Sequence, residues 1–215
     1  MWRRLAGGQH EQVLEHLLAR HREPHRRYHT ATHVMWVCRH VDHLLAHHPV
    51  DDADAVRAAA LFHDAVHDPR STTNEVDSAA LAERQLTQVG WSQERTRRVA
   101  GLVLATAHLD RADRADRAGP DVRTDTAADV LLDADLAILG AEPASYRAYV
   151  TGVRAEYAHV DDRAWTLGRA GVLEHFLATD SLYRTSTMRA DRERRARANL
   201  GAELRTLQRK VSAGQ

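Results

Sequence analysis

Ala58-Ala-Ala-Leu-Phe-His-Asp-Ala-Val66 is an apolar run broken by one adjacent pair of polar side chains, His63 and Asp64. A run of small and large apolar residues without alternation reads as a core helix, and core helices rarely carry an imidazole and a carboxylate side by side for packing alone. A second imidazole stands upstream in Tyr28-His-Thr-Ala-Thr-His33, and carboxylates stand downstream in Leu131-Leu-Asp-Ala-Asp-Leu-Ala-Ile-Leu-Gly140. His33, His63, Asp64 and Asp133 therefore follow one another on three apolar segments, and together they can enclose one divalent cation.

Outward from this stretch, apolar residues recur at helical spacing: Val13, Leu14, Leu17 and Leu18, then Val34, Val37, Val41, Leu44 and Leu45, and again Leu102, Val103 and Ala107. No alternating strand pattern of useful length is present, so the expected fold is all-α. Pro24 divides a first helix from a second over 29–47. Pro49-Val-Asp-Asp divides that from a third, which opens on an Asp cap and carries His63-Asp64. Further helices are expected over 75–89, stopped by Gly90, over 93–107, capped by Ser92, and over 125–138, 144–157 and 162–178. A charged helix over 188–208 packs across the body through Met188, Leu200, Leu204 and Leu207. The chain of 215 residues, 43% hydrophobic, reads as one domain over 1–215 with its core over about 25–180.

Lys+Arg and Asp+Glu balance at 30 each, which gives no reason to expect a nucleic-acid partner. Lys210 is the only lysine, and the Arg192-Glu-Arg-Arg-Ala-Arg197 run reads as a solvated or interface face. Asp110-Arg-Ala-Asp-Arg-Ala-Asp-Arg-Ala-Gly-Pro120 lacks any large apolar residue and reads as a loop. One cysteine, Cys38, fits a reducing compartment. No apolar stretch approaches the ~20 residues of a membrane span, and the first residues lack the apolar segment of a signal peptide, so the expected location is cytoplasmic.

Two imidazoles and two carboxylates form a mixed nitrogen and oxygen set suited to Mn, Fe, Co, Ni or Zn, and less typical of Ca. Such an ion lowers the pKa of a bound water and polarises a phosphoryl oxygen, the requirements for cleaving a phosphoester near neutral pH. No Gly-rich phosphate loop is present, which argues against ATP-driven chemistry of the P-loop type.

The ordered signature of a histidine, then His-Asp, then a distal aspartate resembles the HD-domain superfamily of metal-dependent phosphohydrolases. A bacterial branch of predicted phosphohydrolases is similar over about residues 25–205. The likeness rests on Tyr28-His-Thr-Ala-Thr-His33, Phe62-His-Asp-Ala-Val-His-Asp-Pro69, Asn74-Glu-Val-Asp-Ser78, Ala105-Thr-Ala-His108, Leu132-Asp-Ala-Asp-Leu-Ala-Ile-Leu-Gly140 and Arg154-Ala-Glu-Tyr157. The resemblance implies a helical bundle with a C-terminal helical extension, and His33, His63, Asp64 and Asp133 as metal ligands. Asp135 is the rival to Asp133: two residues apart on a helix they point about 200° from each other, so one metal takes one of them, and the superfamily pattern favours the first.

For the remaining roles the resemblance offers Glu75 and Asp68 as general bases, with Glu75 preferred. His29, His67, His108, Arg154 and Tyr157 are candidates for substrate binding or for a second metal. His67 stands where the branch usually has tyrosine, one turn after His63; a histidine at a helix end is the plainer reading of it. Arg154 and Arg169 offer paired hydrogen bonds to a phosphate, although most arginines on such a surface pair with carboxylates. The expected function is hydrolysis of a small phosphorylated substrate, a nucleotide among the candidates. The alternatives are a diiron oxygenase of the same scaffold and a non-catalytic sensor that binds a nucleotide or metal.

Overall fold

The computed structural model describes residues 1–8, 10–107 and 125–213 and contains, among them, ten α-helices and no strand. In chain order these are α1 (Trp2–Leu5), α2 (Glu11–Arg20), α3 (Ala31–Leu45), α4 (Ala53–Phe62), α5 (Asn74–Gln88) and α6 (Gln93–Thr106). They are followed by α7 (Thr126–Asp135), a 3-10 turn (Leu136–Gly140), α8 (Pro143–Glu156), α9 (Asp162–Ala178) and α10 (Ser186–Ala213). No helix among the described residues is long and apolar enough to cross a membrane.

Capping residues set the starts. Asp52 accepts from the Ala55 amide at 3.0 Å, Ser92 from Arg95 at 3.3 Å, Asp125 from Ala127 at 3.1 Å and Asp161 from Ala164 at 2.9 Å. Gly90, at φ +89°, takes the left-handed conformation that ends α5 and turns the chain into α6. The expected all-α body is present, and α9 runs over the residues predicted for it.

The differences lie at the ends that matter to function. Helix α3 begins at Ala31 rather than 29, because the amides of Arg27, Tyr28 and His29 turn together onto Glu156 Oε1 at 2.7, 2.8 and 3.0 Å. Helix α4 stops at Phe62, and His63 caps its C-terminus instead of continuing it. Helix α7 stops at Asp135 and tightens into the 3-10 turn.

Helices α3, α4 and α7 pack on one another, with α6 against α4 and α7, and their shared interior carries Val37, Val41, Val56, Ala59, Phe62, Val130 and Leu131. Burial at alternating turns of α3 and along most of α4 leaves His33 and His63 as the polar members of otherwise apolar faces. Helix α10 lies on α9 and the 3-10 turn through Met188, Ala196, Leu200 and Leu207, as its apolar spacing predicts. The approach is close at Gly140: a Cβ there would fall 2.6 Å from Arg192 Cβ and 2.9 Å from Arg192 O, so only glycine fits.

A candidate metal centre

The chain end of α4 aims His63 inward. Its Nδ1–H donates to Ala60 O at 3.0 Å, which leaves Nε2 to face the interior. His33, in the first turn of α3, brings its own Nε2 to 3.2 Å from His63 Nε2. Both rings are buried, and two imidazole nitrogens facing each other at this distance bond well only through a shared proton or cation. Asp64 Oδ2 lies 3.2 Å from His33 Nε2 and 3.0 Å from His63 Nε2. Asp135 Oδ1 lies 3.2 and 3.6 Å from the same two nitrogens.

These separations can be tested against a bound ion. Metal–nitrogen and metal–oxygen bonds of about 2.0–2.2 Å at tetrahedral or octahedral angles put neighbouring donor atoms about 2.8–3.6 Å apart. The donor–donor distances of 3.0–3.6 Å match that range. The electrostatics favour positive charge between the two carboxylates, which a proton on His63 or a metal ion supplies. Burial opposes charge on His63, but Asp64 and Asp135 outweigh it and hold the imidazole well above its usual range. Burial likewise opposes ionisation of Asp64 and Asp135, yet the facing histidines keep both carboxyls below the usual range. His33, His63 and Asp64 could hold a metal ion, with neutral imidazole as the form that ligates.

Asp133 is not part of this set, contrary to the expectation from the sequence. Its Oδ1 accepts the Arg184 amide at 2.8 Å, while Oδ2 accepts the Thr185 amide and the Thr185 hydroxyl, both at 2.7 Å. The carboxylate is buried and anchors the segment that leads into α10. With about 100° of rotation per residue, the turn that points Asp135 at α3 and α4 must point Asp133 at α10.

The backbone that carries the site is itself held by side chains. Arg26, 3% exposed, donates to Asp64 O at 2.7 Å, Ala65 O at 3.2 Å and His29 O at 2.9 Å. Ser78 Oγ accepts the Val66 amide at 2.9 Å, and Asn74 accepts the Asp68 amide and donates to Asp68 O, each at 2.9 Å. The Asn74-Glu-Val-Asp-Ser78 stretch thus latches the turn that follows His63-Asp64. Tyr28 lies against the His33 ring at 4.8 Å between centroids.

A second group gathers beside the first. His29 Nδ1 lies 2.7 Å from Glu156 Oε2, His67 Nε2 lies 3.5 Å from the same oxygen, and the two rings are 4.1 Å apart. His29 and His33 rings are 5.6 Å apart, so the groups are neighbours. His67 is therefore not a solvent-facing helix-end residue: its side chain is 8% exposed.

Other predicted positions go elsewhere. The Asp68 carboxylate accepts the Arg70 amide at 2.9 Å in the exposed loop, and Glu75 stands half-buried in the first turn of α5. Arg154 donates to Tyr157 O at 2.7 Å, Val160 O at 3.1 Å and Asp162 at 2.7 Å, closing the C-terminal end of α8 rather than presenting its guanidinium to a phosphate. Tyr157 packs against Trp165 at 5.6 Å. Arg169 bridges to Glu203 at 2.8 Å, joining α9 to α10. His108 and the charged repeat over 110–120 lie outside the described residues. A surface cavity between α8, α9 and α10, lined by Trp165, Leu167 and Leu207, is distinct from the metal-capable groups, and its carboxylates Asp162 and Glu203 are paired with Arg154 and Arg169.

The sequence reading missed three members: Asp135 as the facing carboxylate, Glu156, and Arg26. Glu156 falls inside Arg154-Ala-Glu-Tyr157, whose outer residues drew the attention, and its burial at 6% exposure is the signal that separates it from surface glutamates. Comparison with protein-family models, with curated proteins and with solved structures finds no match.

Proposed function

We propose that this protein is a metal-dependent phosphohydrolase of the HD type, with His33, His63, Asp64 and Asp135 as the ligands of a divalent transition metal. The observation that carries the reading is the buried pair of Nε2 atoms 3.2 Å apart with carboxylate oxygens at 3.0–3.6 Å. The resemblance of the Tyr28–His33, Phe62–Pro69 and Leu132–Gly140 stretches to that superfamily supports it, with Asp135 replacing Asp133 in the ligand set.

A cation held there supplies a water acidic enough to act near neutral pH and a Lewis acid for a phosphoryl oxygen. The residues do the rest. The Ala60 carbonyl fixes the tautomer of His63. Arg26 fixes the peptide that carries Asp64. Asp64, 21% exposed at its side chain, and Asp135, 18% exposed, mark the side of the cluster open to solvent, while both histidines are closed off behind them. A small phosphorylated substrate, a nucleotide among them, enters from that side, and the resemblance to the superfamily supports Glu75 as general base.

The test is a screen of phosphomonoesters and nucleotides with protein loaded in turn with Mn, Co, Zn, Ni and Fe. Turnover by the wild type, with a loss of at least about 100-fold in Asp64→Asn, is expected for ligands that act as one unit. Turnover unchanged in Asp64→Asn would reject the reading.

A further inference from the structure

A cation site of its own is the role the geometry points to for His29, His67 and Glu156: we infer that Nδ1 of His29, Nε2 of His67 and Oε2 of Glu156 bind a second divalent transition metal beside the first. The three donors lie within 4.8 Å of one another, and they come from three separate elements: the turn before α3, the turn after α4 and the last residue of α8.

Glu156 is prepared for this role. Its Oε1 takes the amides of Arg27, Tyr28 and His29, which fixes the carboxylate and leaves Oε2 directed at the two rings. His67 is fixed from behind, since His25 Nε2 meets the His67 carbonyl at 2.7 Å. What remains is an imidazole nitrogen without a bond. His67 Nε2 is buried, lies 3.5 Å from Glu156 Oε2 and has no hydrogen-bond partner. Buried polar nitrogens are ordinarily satisfied, and an unsatisfied one aimed at a fixed carboxylate and a second imidazole needs a ligand. A proton satisfies only one edge of the triangle, whereas a cation at its centre satisfies all three atoms.

Two imidazoles and one carboxylate suit Fe(II), Co, Ni, Zn or Mn and leave coordination positions for water or substrate. The charge balance separates the two sites. Two carboxylates, Asp64 and Asp135, neutralise a divalent ion at the first; Glu156 alone leaves a net positive charge at the second. The pair therefore favours an anionic group spanning both, such as a phosphate, and that part of the inference rests on the function proposed above. The second binding site itself does not depend on it.

Cobalt(II) titration of the metal-free protein, read by equilibrium dialysis and by the visible absorption of bound cobalt, tests the inference. The wild type should take two equivalents; Glu156→Gln and His67→Phe should each take one, and Asp135→Asn should take a different one. Glu156→Gln keeps an oxygen for the three amides and His67→Phe keeps the ring volume, so either variant that retains wild-type helicity decides the matter. A single equivalent lost only in Asp135→Asn would overturn the second site and leave the hydrolase reading standing. A single equivalent lost only in His67→Phe or Glu156→Gln would uphold the second site and overturn the first. No site-dependent cobalt would overturn both.

Discussion

Asp133 and Asp135, two residues apart at the end of α7, serve opposite faces: Asp135 Oδ1 meets His33 Nε2 at 3.2 Å, and Asp133 Oδ2 meets the Thr185 hydroxyl at 2.7 Å. One helix turn thereby joins the candidate metal centre to the C-terminal helix. The first carboxylate faces two imidazoles that a cation would share, the second faces amides that need an acceptor, and neither can exchange places with the other.

Arg26 ties the two histidine groups together, since one guanidinium holds the carbonyls of both His29 and Asp64. Lysine at this position keeps the charge but loses the planar fork. Arg26→Lys should lower stability by about 1–3 kcal/mol, the cost of leaving buried carbonyls without donors. Its metal affinity should fall about 10–100-fold, as for other groups that orient ligands. Denaturant unfolding and metal titration on the same preparation check both; unchanged affinity would show that Arg26 supports the fold alone.

His21 gives the protein a definite acid sensitivity. Burial, with Arg26 nearby, lowers its pKa to about 4 from an ordinary value of 6.5, while its Nε2 bonds to Leu61 O at 3.3 Å. A lowered folded-state pKa means that the unfolded chain takes up the proton first, so this contribution is complete above pH 6.5 and is lost as the pH falls toward 4. The loss reaches at most about 3 kcal/mol. In His21→Gln, whose amide can still donate to Leu61 O, unfolding free energies measured across that interval should fall less steeply than in the wild type. Parallel slopes would remove His21 as the cause.

Two glycines should respond to alanine with opposite signs. Gly140→Ala drives a Cβ to 2.6 Å from Arg192 Cβ and 3.0 Å from the Tyr183 hydroxyl, and should cost about 1–3 kcal/mol as α10 is displaced. Gly201, inside α10, has only the flexible end of Arg205 at 3.4 Å, and Gly201→Ala should gain about 0.5–1 kcal/mol from helix propensity. Thermal unfolding of both variants measures the difference; a stable Gly140→Ala would contradict the close packing of α10 on the 3-10 turn.

Much of this architecture is legible in the sequence because it is local. The spacing of Val34, Val37, Val41 and Leu44 gives α3 its buried face, and the caps at Asp52 and Ser92 start α4 and α6 where side-chain chemistry says they should. His33, His63 and Asp64 stand out because each interrupts an apolar face. The choice between Asp133 and Asp135 is not local. Helical periodicity says that one of them faces the histidines, but which one depends on whether α3 and α4 or α10 packs on a given side, a fact of tertiary structure. Glu156 is hidden for the same reason: its partners Arg27, Tyr28 and His29 lie more than a hundred positions away, 129 in the case of Arg27, and no short-range pattern connects them. Arg26 reads as one more arginine until the carbonyls of Asp64 and Ala65 are seen around it.

Metal retention in Asp135→Asn, measured by elemental analysis beside Asp133→Asn and the wild type, tests the central assignment most directly. Asp135→Asn should lose the ion of the first site and lower the stability of the metal-free form by about 1–3 kcal/mol, because its carboxylate faces two buried imidazoles. Asp133→Asn should keep the ion and lose about 1–3 kcal/mol of stability, because an amide replaces an acceptor of the Arg184 and Thr185 donors. Loss of the ion in Asp133→Asn with full retention in Asp135→Asn would contradict the site as assigned.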